Sequence, residues 1–378
     1  MKKRILITGG GTGGHVYPAI ATMEALSAMG EFEFLYVGGR GGIETRIIPE
    51  WGVPLRTIWI SGFQRYLTWR NVLFPFKLGV SLVQSWWILR RFRPHLAIGT
   101  GGYVTGPVLF AAYRMGIPVL IEEQDVYPGI TTRLLAPYAR KICVAFEGAG
   151  RFLKVPSDRV VVTGNPVRRD LTAITAEEAR RRWGIPPDAR VVLVLGGSQG
   201  ARSINQAMLR ILSALLQQPG VWVLWQTGPR RFAEVEPQGR RRDGRVRLLP
   251  YIEDMAAAYA AADVVLTRAG ALTLAELAVV QKPAILIPYP HAAGNHQELN
   301  ARYIESLGAA VVIPEHPGWE KPLLQHLQTL LASAAQRQRM ARCWAPVSRK
   351  DAARKIARMA LDLLETNPSL KTTPTEVP

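Results

Sequence analysis

Two stretches of this chain share one plan: an apolar strand-forming run, a cluster of glycines, then the start of a helical pattern, at residues 5–14 and again at 191–200. A strand that runs through glycines into a helix opens a strand-helix-strand unit, whose parallel strands need crossover helices between them. Short β-branched runs alternate with helical patterns on either side: RILIT, FEFLYV, LAIGT, PVLIEE and KICVAF in the first half, RVVLVLGG, VWVLWQT, ADVVLT, PAILIP and AAVVIP in the second. The alternation predicts an α/β chain with parallel sheets. Because the unit opens twice, it predicts two Rossmann-like doubly wound domains with a seam near GNPVRRDL, residues 164–171. The length of 378 residues agrees, being too long for one compact core. The expected division is 1–166 joined by a C-terminal helix at about 346–366, then 167–345, with a frayed tail at 367–378.

Hydrophobic residues make up 48% and charged residues 20%, enough apolar surface to exclude disorder as the dominant state. The balance of 47 Lys+Arg against 29 Asp+Glu leaves +18, which calls for an anionic partner: nucleic acid, an acidic membrane surface or a phosphorylated substrate. Cys143 and Cys343 are too few for a disulfide framework, and their flanks lack metal-ligand spacing. The opening MKKRILITGGG is too short in apolar residues for a secretory signal. Uncharged runs at 94–113 and 211–229 are interrupted by glycines, Pro107 and Pro219, so neither reads as a transmembrane helix.

In ITGGGTGGHV, Gly9, Gly11 and Gly14 satisfy GxGxxG between a strand and a helix, the setting in which backbone amides receive a phosphate. A nicotinamide dinucleotide would need an acidic residue at the end of the second strand, and FLYVGGRGG has none. The second loop, LGGSQGARSIN, places Ser198 beside Gly196, Gly197 and Gly200 at a helix start, and Arg168 in GNPVR adds a guanidinium suited to phosphate. A third turn, IGTGGYVTGP, is expected to leave an unobstructed backbone nearby. TRAGALTLAEL starts a helix at about Ala271, with Thr273 in its first turn and Glu276 one turn in, so amides can face phosphate while a carboxylate takes two sugar hydroxyls. The competing reading of Glu276 is a charge that favours a helix start. Together these loops suggest a nucleoside diphosphate on one side and an acceptor on the other. His291 and His296 are not spaced as helical metal ligands, and no Asp-x-Asp occurs, so neither zinc nor a metal-gripped pyrophosphate is expected. Helix dipoles and Arg168 would then meet the charge of a leaving diphosphate.

The ordered series GGGTGGH (9–15), GTGGYVTGP (99–107), EEQD...PG (122–129), GNPVR (164–168), GGSQGA (196–201), RAGALTLAE (268–276) and PHAAGNHQELNA (290–301) resembles the MurG family of UDP-N-acetylglucosamine:lipid I N-acetylglucosaminyltransferases. The resemblance implies a GT-B fold with the active site in an interdomain cleft, no cofactor and no metal. It implies an inverting displacement that moves N-acetylglucosamine to the 4-hydroxyl of the N-acetylmuramoyl group of lipid I, making lipid II. Carried over by motif, contacts to UDP-N-acetylglucosamine fall at Thr12, Gly13, Gly14, Arg168, Ser198, Ile252, Ala271, Leu272, Thr273, Leu274, Ala275 and Glu276. Gln297, with His296, would reach the transferred sugar. His15 takes the family's position for activating the acceptor hydroxyl, and an imidazole suits a general base near neutral pH. Its alternative is a histidine that only hydrogen-bonds the loop. Glu123 is the second candidate base.

Three departures stand out. Glu122-Glu123-Gln124-Asp125 replaces the family's usual H-E-Q-N, so Asp125 can accept but not donate a hydrogen bond to the donor sugar. Gly294 stands where Asp is frequent, and Ala269 where Ser is common.

Residues 71–92, NVLFPFKLGVSLVQSWWILRRF, carry one apolar stripe at Leu78, Leu82, Ser85 and Leu89 and a second at Val72, Phe76, Val80, Val83 and Trp87. Arg65, Arg70, Lys77, Arg90, Arg91 and Arg93 flank them. A helix apolar on two sides needs two apolar neighbours. The expectation is that Val72, Phe76 and Leu82, with Tyr113, dock on an anionic membrane surface, making this a peripheral protein on the cytoplasmic side of the cell membrane. The alternative is a wholly buried helix. Other partners expected from the resemblance are lipid I, UDP-N-acetylglucosamine and other cell-wall synthesis proteins. A related UDP-sugar enzyme, either a glycolipid synthase or a 2-epimerase, is the runner-up. Nucleic acid is not expected, since no nucleic-acid module surrounds Arg240-Arg241-Arg242.

Overall fold

The computed structural model describes residues 2–62, 73–239 and 244–366. Val72, Arg65, Arg70, the Arg240–Arg242 cluster and the expected tail at 367–378 lie outside the described residues. Contacts divide the chain into two units: one runs to Val167 and takes in the helix Ala352–Glu365, the other is Arg168–Lys350.

The first unit is built on a seven-stranded sheet of β1 Lys3–Thr8, β2 Phe32–Gly39, β3 Leu55–Ile58, β4 Leu96–Gly99, β5 Val119–Glu123, β6 Lys141–Val144 and β7 Val160–Val162, in the order β3-β2-β1-β4-β5-β6-β7. The second carries β8 Arg190–Leu195, β9 Val221–Gln226, β10 Val246–Leu249, β11 Val264–Thr267, β12 Ala284–Leu286 and β13 Ala310–Val312, in the order β10-β9-β8-β11-β12-β13. Neighbouring strands pair in parallel throughout both sheets. Strand for strand, the second order repeats the first up to β7. The strands passed over in the sequence, β3, β7 and β10, all stand at sheet edges. LRTI and VRLL mix polarity because an edge strand is covered less completely, so no apolar run marks them.

Alternation along the inner strands explains their continuous apolar character. Ile5 and Ile7 bury on one face with Tyr36, Leu96 and Ile98, while Leu6 buries on the other with Val37, Ala97 and Ile121. Each fully buried aliphatic side chain contributes roughly 1.5–3 kcal/mol relative to exposure. Helix Ala352–Glu365 joins the first of these cores through Ile356, Ala357, Ala360 and Leu364, against helix Gly13–Ser27. In the second unit Trp225 is fully buried, and its indole N–H donates to Asn205 Oδ1 at 3.1 Å. In each sheet the strand order reverses where the glycine-bearing strands meet, β1 beside β4 and β8 beside β11. Ligands of such sheets bind outside the carboxyl ends of the strands at that reversal.

Candidate active site

In the first unit, β1 ends at Thr8 and the chain turns through Gly9–Gly11 into helix Gly13–Ser27. Gly9 carbonyl accepts the Tyr36 hydroxyl at 2.8 Å, Gly10 N–H donates to Gly101 carbonyl at 3.3 Å, and Gly11 N–H donates to Glu44 Oε2 at 3.1 Å. The turn after β4 is not the unobstructed backbone expected. Gly102 holds a left-handed φ of 86°, and a Cβ there would stand 2.3 Å from the Gly10 carbonyl oxygen, so the two loops press together.

His15 enters on the first turn of the helix, half-buried. Its Nδ1 lies 2.9 Å from Gly10 carbonyl oxygen and 3.2 Å from Thr12 Oγ1. A carbonyl can only accept, so Nδ1 carries the hydrogen, and the neutral ring then holds its lone pair at Nε2. The Thr100 hydroxyl donates to the His15 carbonyl at 2.6 Å, and Gly101 backs the ring so closely that a Cβ would meet Cδ2 at 2.6 Å. Thr12 and Gly14 are exposed and Gly13 is half-buried.

At the end of β5, Glu122 and Glu123 are both buried. Gln124 Nε2 donates to Glu122 Oε2 and to Thr100 carbonyl, the latter at 2.7 Å, and burial pushes the Glu122 carboxyl well up from its ordinary value. Glu123 accepts from Asp125 N–H and Gly129 N–H, each at 3.1 Å, with Thr132 as a further partner. Both carboxylate oxygens are therefore committed to the loop that carries Asp125. Burial, helped by Asp125, raises Glu123 to about 7. Between its ordinary value of 4.5 and about 7 the folded protein keeps a proton that the unfolded chain has lost, so this group's contribution to stability falls as pH rises through that window. Glu123→Gln, which does not titrate, should therefore cost less stability at about pH 8 than at about pH 5.5, by about 2 kcal/mol. Denaturant unfolding of both proteins at the two pH values reads the difference, and an equal cost at both would disprove the raised carboxyl.

In the second unit, the loop after β8 turns at Gly197 and Gly200, φ 76° and 75°, and a Cβ on Gly200 would reach the Thr227 carbonyl oxygen at 2.0 Å. Ser198 is exposed at the tip, just before helix Arg202–Leu216. One side chain that the sequence reading missed ties this loop to Ile252: buried Gln226 donates to Gly197 carbonyl at 2.9 Å and accepts from Ile252 N–H at 2.8 Å. Its only signal was a polar residue closing an otherwise apolar strand. Arg268, also missed, spans Ile287 carbonyl at 3.1 Å, Ser203 Oγ at 2.8 Å and the Glu315 carboxylate, fastening two helix starts to the end of β12.

Helix Ala271–Val280 begins after Gly270 with no side-chain cap. Ala271 and Leu274 are buried; Leu272, Thr273, Ala275 and Glu276 are half-buried. The Tyr259 hydroxyl donates to Glu276 Oε2 at 2.9 Å. Burial raises the Glu276 carboxyl, and the Tyr259 hydrogen bond and the Arg168 charge oppose that rise, so Arg168 and Glu276 lie within electrostatic reach of each other. Arg168 is exposed and pairs with Asp170 at 3.2 Å, an exchangeable contact worth at most about 1 kcal/mol. Gln297 accepts Tyr289 N–H at 3.0 Å through Oε1, which leaves its Nε2 as the donating end. Gly294 and Asn295 are both left-handed, φ 64° and 58°, a backbone that suits glycine at the first position.

Helix Phe74–Phe92 buries Ser81, Ser85 and Leu89 and leaves Phe76, Val83, Trp86 and Trp87 exposed, with Trp87 at 64%. Leu82, expected on the outer face, is half-buried, and Trp86, which belonged to neither stripe, is outside. Arg90 stacks over Trp86 at 5.2 Å and Lys77 over Trp59 at 5.7 Å. Tyr113 is exposed beside Tyr138, ring centroids 4.8 Å apart. Among the described residues no helix is long and apolar enough to cross a membrane.

Two doubly wound parallel sheets, each with a glycine loop at its strand-order reversal and one with an Arg and a Glu beside a helix start, have the architecture of the GT-B class of sugar-nucleotide proteins. The N-terminal domain of glycosyltransferase family 28 matches residues 5–144, and its C-terminal domain matches 191–356. The UDP-N-acetylglucosamine–N-acetylmuramyl-(pentapeptide) pyrophosphoryl-undecaprenol N-acetylglucosamine transferase of Salinibacter ruber is 43% identical, over 96% of this chain and 97% of its own. That of Moorella thermoacetica is 42% identical, over 96% of this chain and 100% of its own. The crystal structure of MurG from Acinetobacter baumannii superposes with a TM-score of 0.75 at 27% identity, covering 95% of this chain and 99% of that one. The chain belongs to this family, the MurG N-acetylglucosaminyltransferases.

Proposed function

We infer that this protein moves N-acetylglucosamine from UDP-N-acetylglucosamine to the 4-hydroxyl of the N-acetylmuramoyl group of lipid I, making lipid II. The observation that carries this is the match to relatives of that name along nearly their whole length, at 43% identity. The second unit holds the donor: the Ser198 loop and the helix start at Ala271 face phosphate, Arg168 meets the diphosphate charge, Glu276 takes the ribose hydroxyls, and Ile252 and Gln297 contact base and sugar. The first unit serves the acceptor. There His15 removes the hydroxyl proton through Nε2, the oxygen attacks the anomeric carbon, and UDP departs with inversion. Glu123, with both oxygens committed to its loop, supports the loop of Asp125 rather than acting as base. Radiolabelled UDP-N-acetylglucosamine mixed with lipid I tests the reading. Label has to appear in the lipid product, and label recovered only as an epimerised sugar nucleotide would reject it.

The apolar side chains Phe76, Val83, Trp86 and Trp87, ringed by Lys77, Arg90 and Arg91, suit the cytoplasmic leaflet of the cell membrane, with the tryptophans at headgroup depth. Tyr113, exposed on helix Thr105–Arg114, is a further membrane contact of this reading, and other cell-wall synthesis proteins are its further partners. Phe76→Asp with Trp87→Asp should reduce sedimentation with anionic vesicles by roughly tenfold or more while UDP binding is retained, since each removes a buried aromatic's worth of transfer energy. Undiminished sedimentation would discard the docking face.

A further inference from the structure

Glu44 is fully buried, and the chemistry above makes no use of it. It opens the short helix Glu44–Glu50, and its carboxylate lies between two glycine loops far apart in sequence. Oε1 accepts Gly39 N–H at 2.8 Å and Oε2 accepts Gly11 N–H at 3.1 Å. Glycines make the room it occupies. A Cβ on Gly10 would stand 2.2 Å from Oε1, one on Gly38 2.5 Å from Glu44 Cγ, and one on Gly42 2.4 Å from the carboxyl atoms. The anion that meets the Gly11 amide is thus the protein's own side chain. Gly10 is held on three sides: its Cα against the Glu44 carboxylate, its N–H on Gly101 carbonyl, and its carbonyl on His15 Nδ1.

We propose that Glu44 is a positioning residue for His15: by gripping Gly11 and filling the space beside Gly10, it aims the Gly10 carbonyl at Nδ1 and so keeps the ring's lone pair at Nε2. The proposal rests on the reading of His15 as the base. No neutral isostere can replace the carboxylate, because a glutamine amide offers one acceptor and one donor where two N–H groups need acceptors.

The test is a double-mutant cycle on the full chain, with a soluble lipid I analogue as acceptor. Glu44→Gln should lower kcat by roughly tenfold to a hundredfold, the scale of a small misplacement of a catalytic group, with UDP affinity unchanged. In a His15→Ala background the same substitution should cost nothing further, because the group it positions is gone. An unchanged kcat in folded Glu44→Gln, or losses that multiply in the double variant, overturns the proposal. Retained kcat in His15→Ala alone overturns the base reading beneath it, and is told apart by that single variant. Should Glu44→Gln fail to fold, Glu44→Asp enters the same cycle. It keeps both acceptors but withdraws them by one methylene, so the same loss and the same non-additivity are expected.

Discussion

His15→Ala is expected to lower kcat by roughly 10² to 10⁴, the range that positioned proton transfer supplies, while KM for UDP-N-acetylglucosamine stays close to wild type. Gly10 carbonyl fixes the proton on Nδ1, Gly101 backs the ring, and Thr100 pins the His15 carbonyl, so the ring is held in one orientation, as the proposed base at Nε2 requires. Alanine removes the base and leaves the donor groups of the other unit untouched. His15→Asn offers a polar group that cannot take a proton and should fare no better than alanine, which separates base catalysis from hydrogen bonding. A kcat within a few-fold of wild type in both variants would return His15 to a structural role on the loop.

Much of this was legible in the sequence because the informative positions are ones where backbone and chemistry coincide. Runs such as RILIT and RVVLVL are apolar on both faces because helices cover both sides of the inner strands, and the repeated strand-glycine-helix opening announced two sheets. The edge strands LRTI and VRLL escaped for the converse reason. Gln226 and Arg268 escaped because each works through backbone carbonyls and amides brought together only by the fold. Glu44 escaped in the same way: in VGGRGGIETR it reads as an ordinary helix-start acid, and only the packing of Gly10, Gly38 and Gly42 around its carboxylate reveals a brace.

The duplicated opening also concealed a divergence. Two loops that look alike as glycine clusters have different occupants. In the first unit the Gly11 amide is already met by Glu44, which suits a loop whose task is to hold a histidine. In the second, Ser198 stands exposed beside Gly197 while Gln226 anchors the loop from below through the Gly197 carbonyl. A glycine-rich turn therefore signals close approach to its backbone, and the approaching group has to be found in three dimensions.

Glu276→Ala should raise KM for UDP-N-acetylglucosamine by roughly 10² and leave kcat at saturating donor near wild type. A carboxylate that accepts from two ribose hydroxyls makes charged hydrogen bonds worth about 1.5–3 kcal/mol each, present in the ground state and the transition state alike. The Tyr259 hydroxyl, 2.9 Å from Oε2, orients that carboxylate, so Tyr259→Phe should give a smaller change in the same direction. A donor lacking the ribose 2′-hydroxyl supplies the control: the cost of Glu276→Ala has to shrink with it, since one of the two bonds is then missing from the start. The pH dependence follows in sign. Burial raises the Glu276 carboxyl above its ordinary value, so donor affinity should weaken as pH falls through that raised value, and Glu276→Gln should abolish the trend. Equal donor KM in wild type and Glu276→Ala would mean that the carboxylate serves only its helix start and Tyr259, and that ribose recognition lies elsewhere in the second unit.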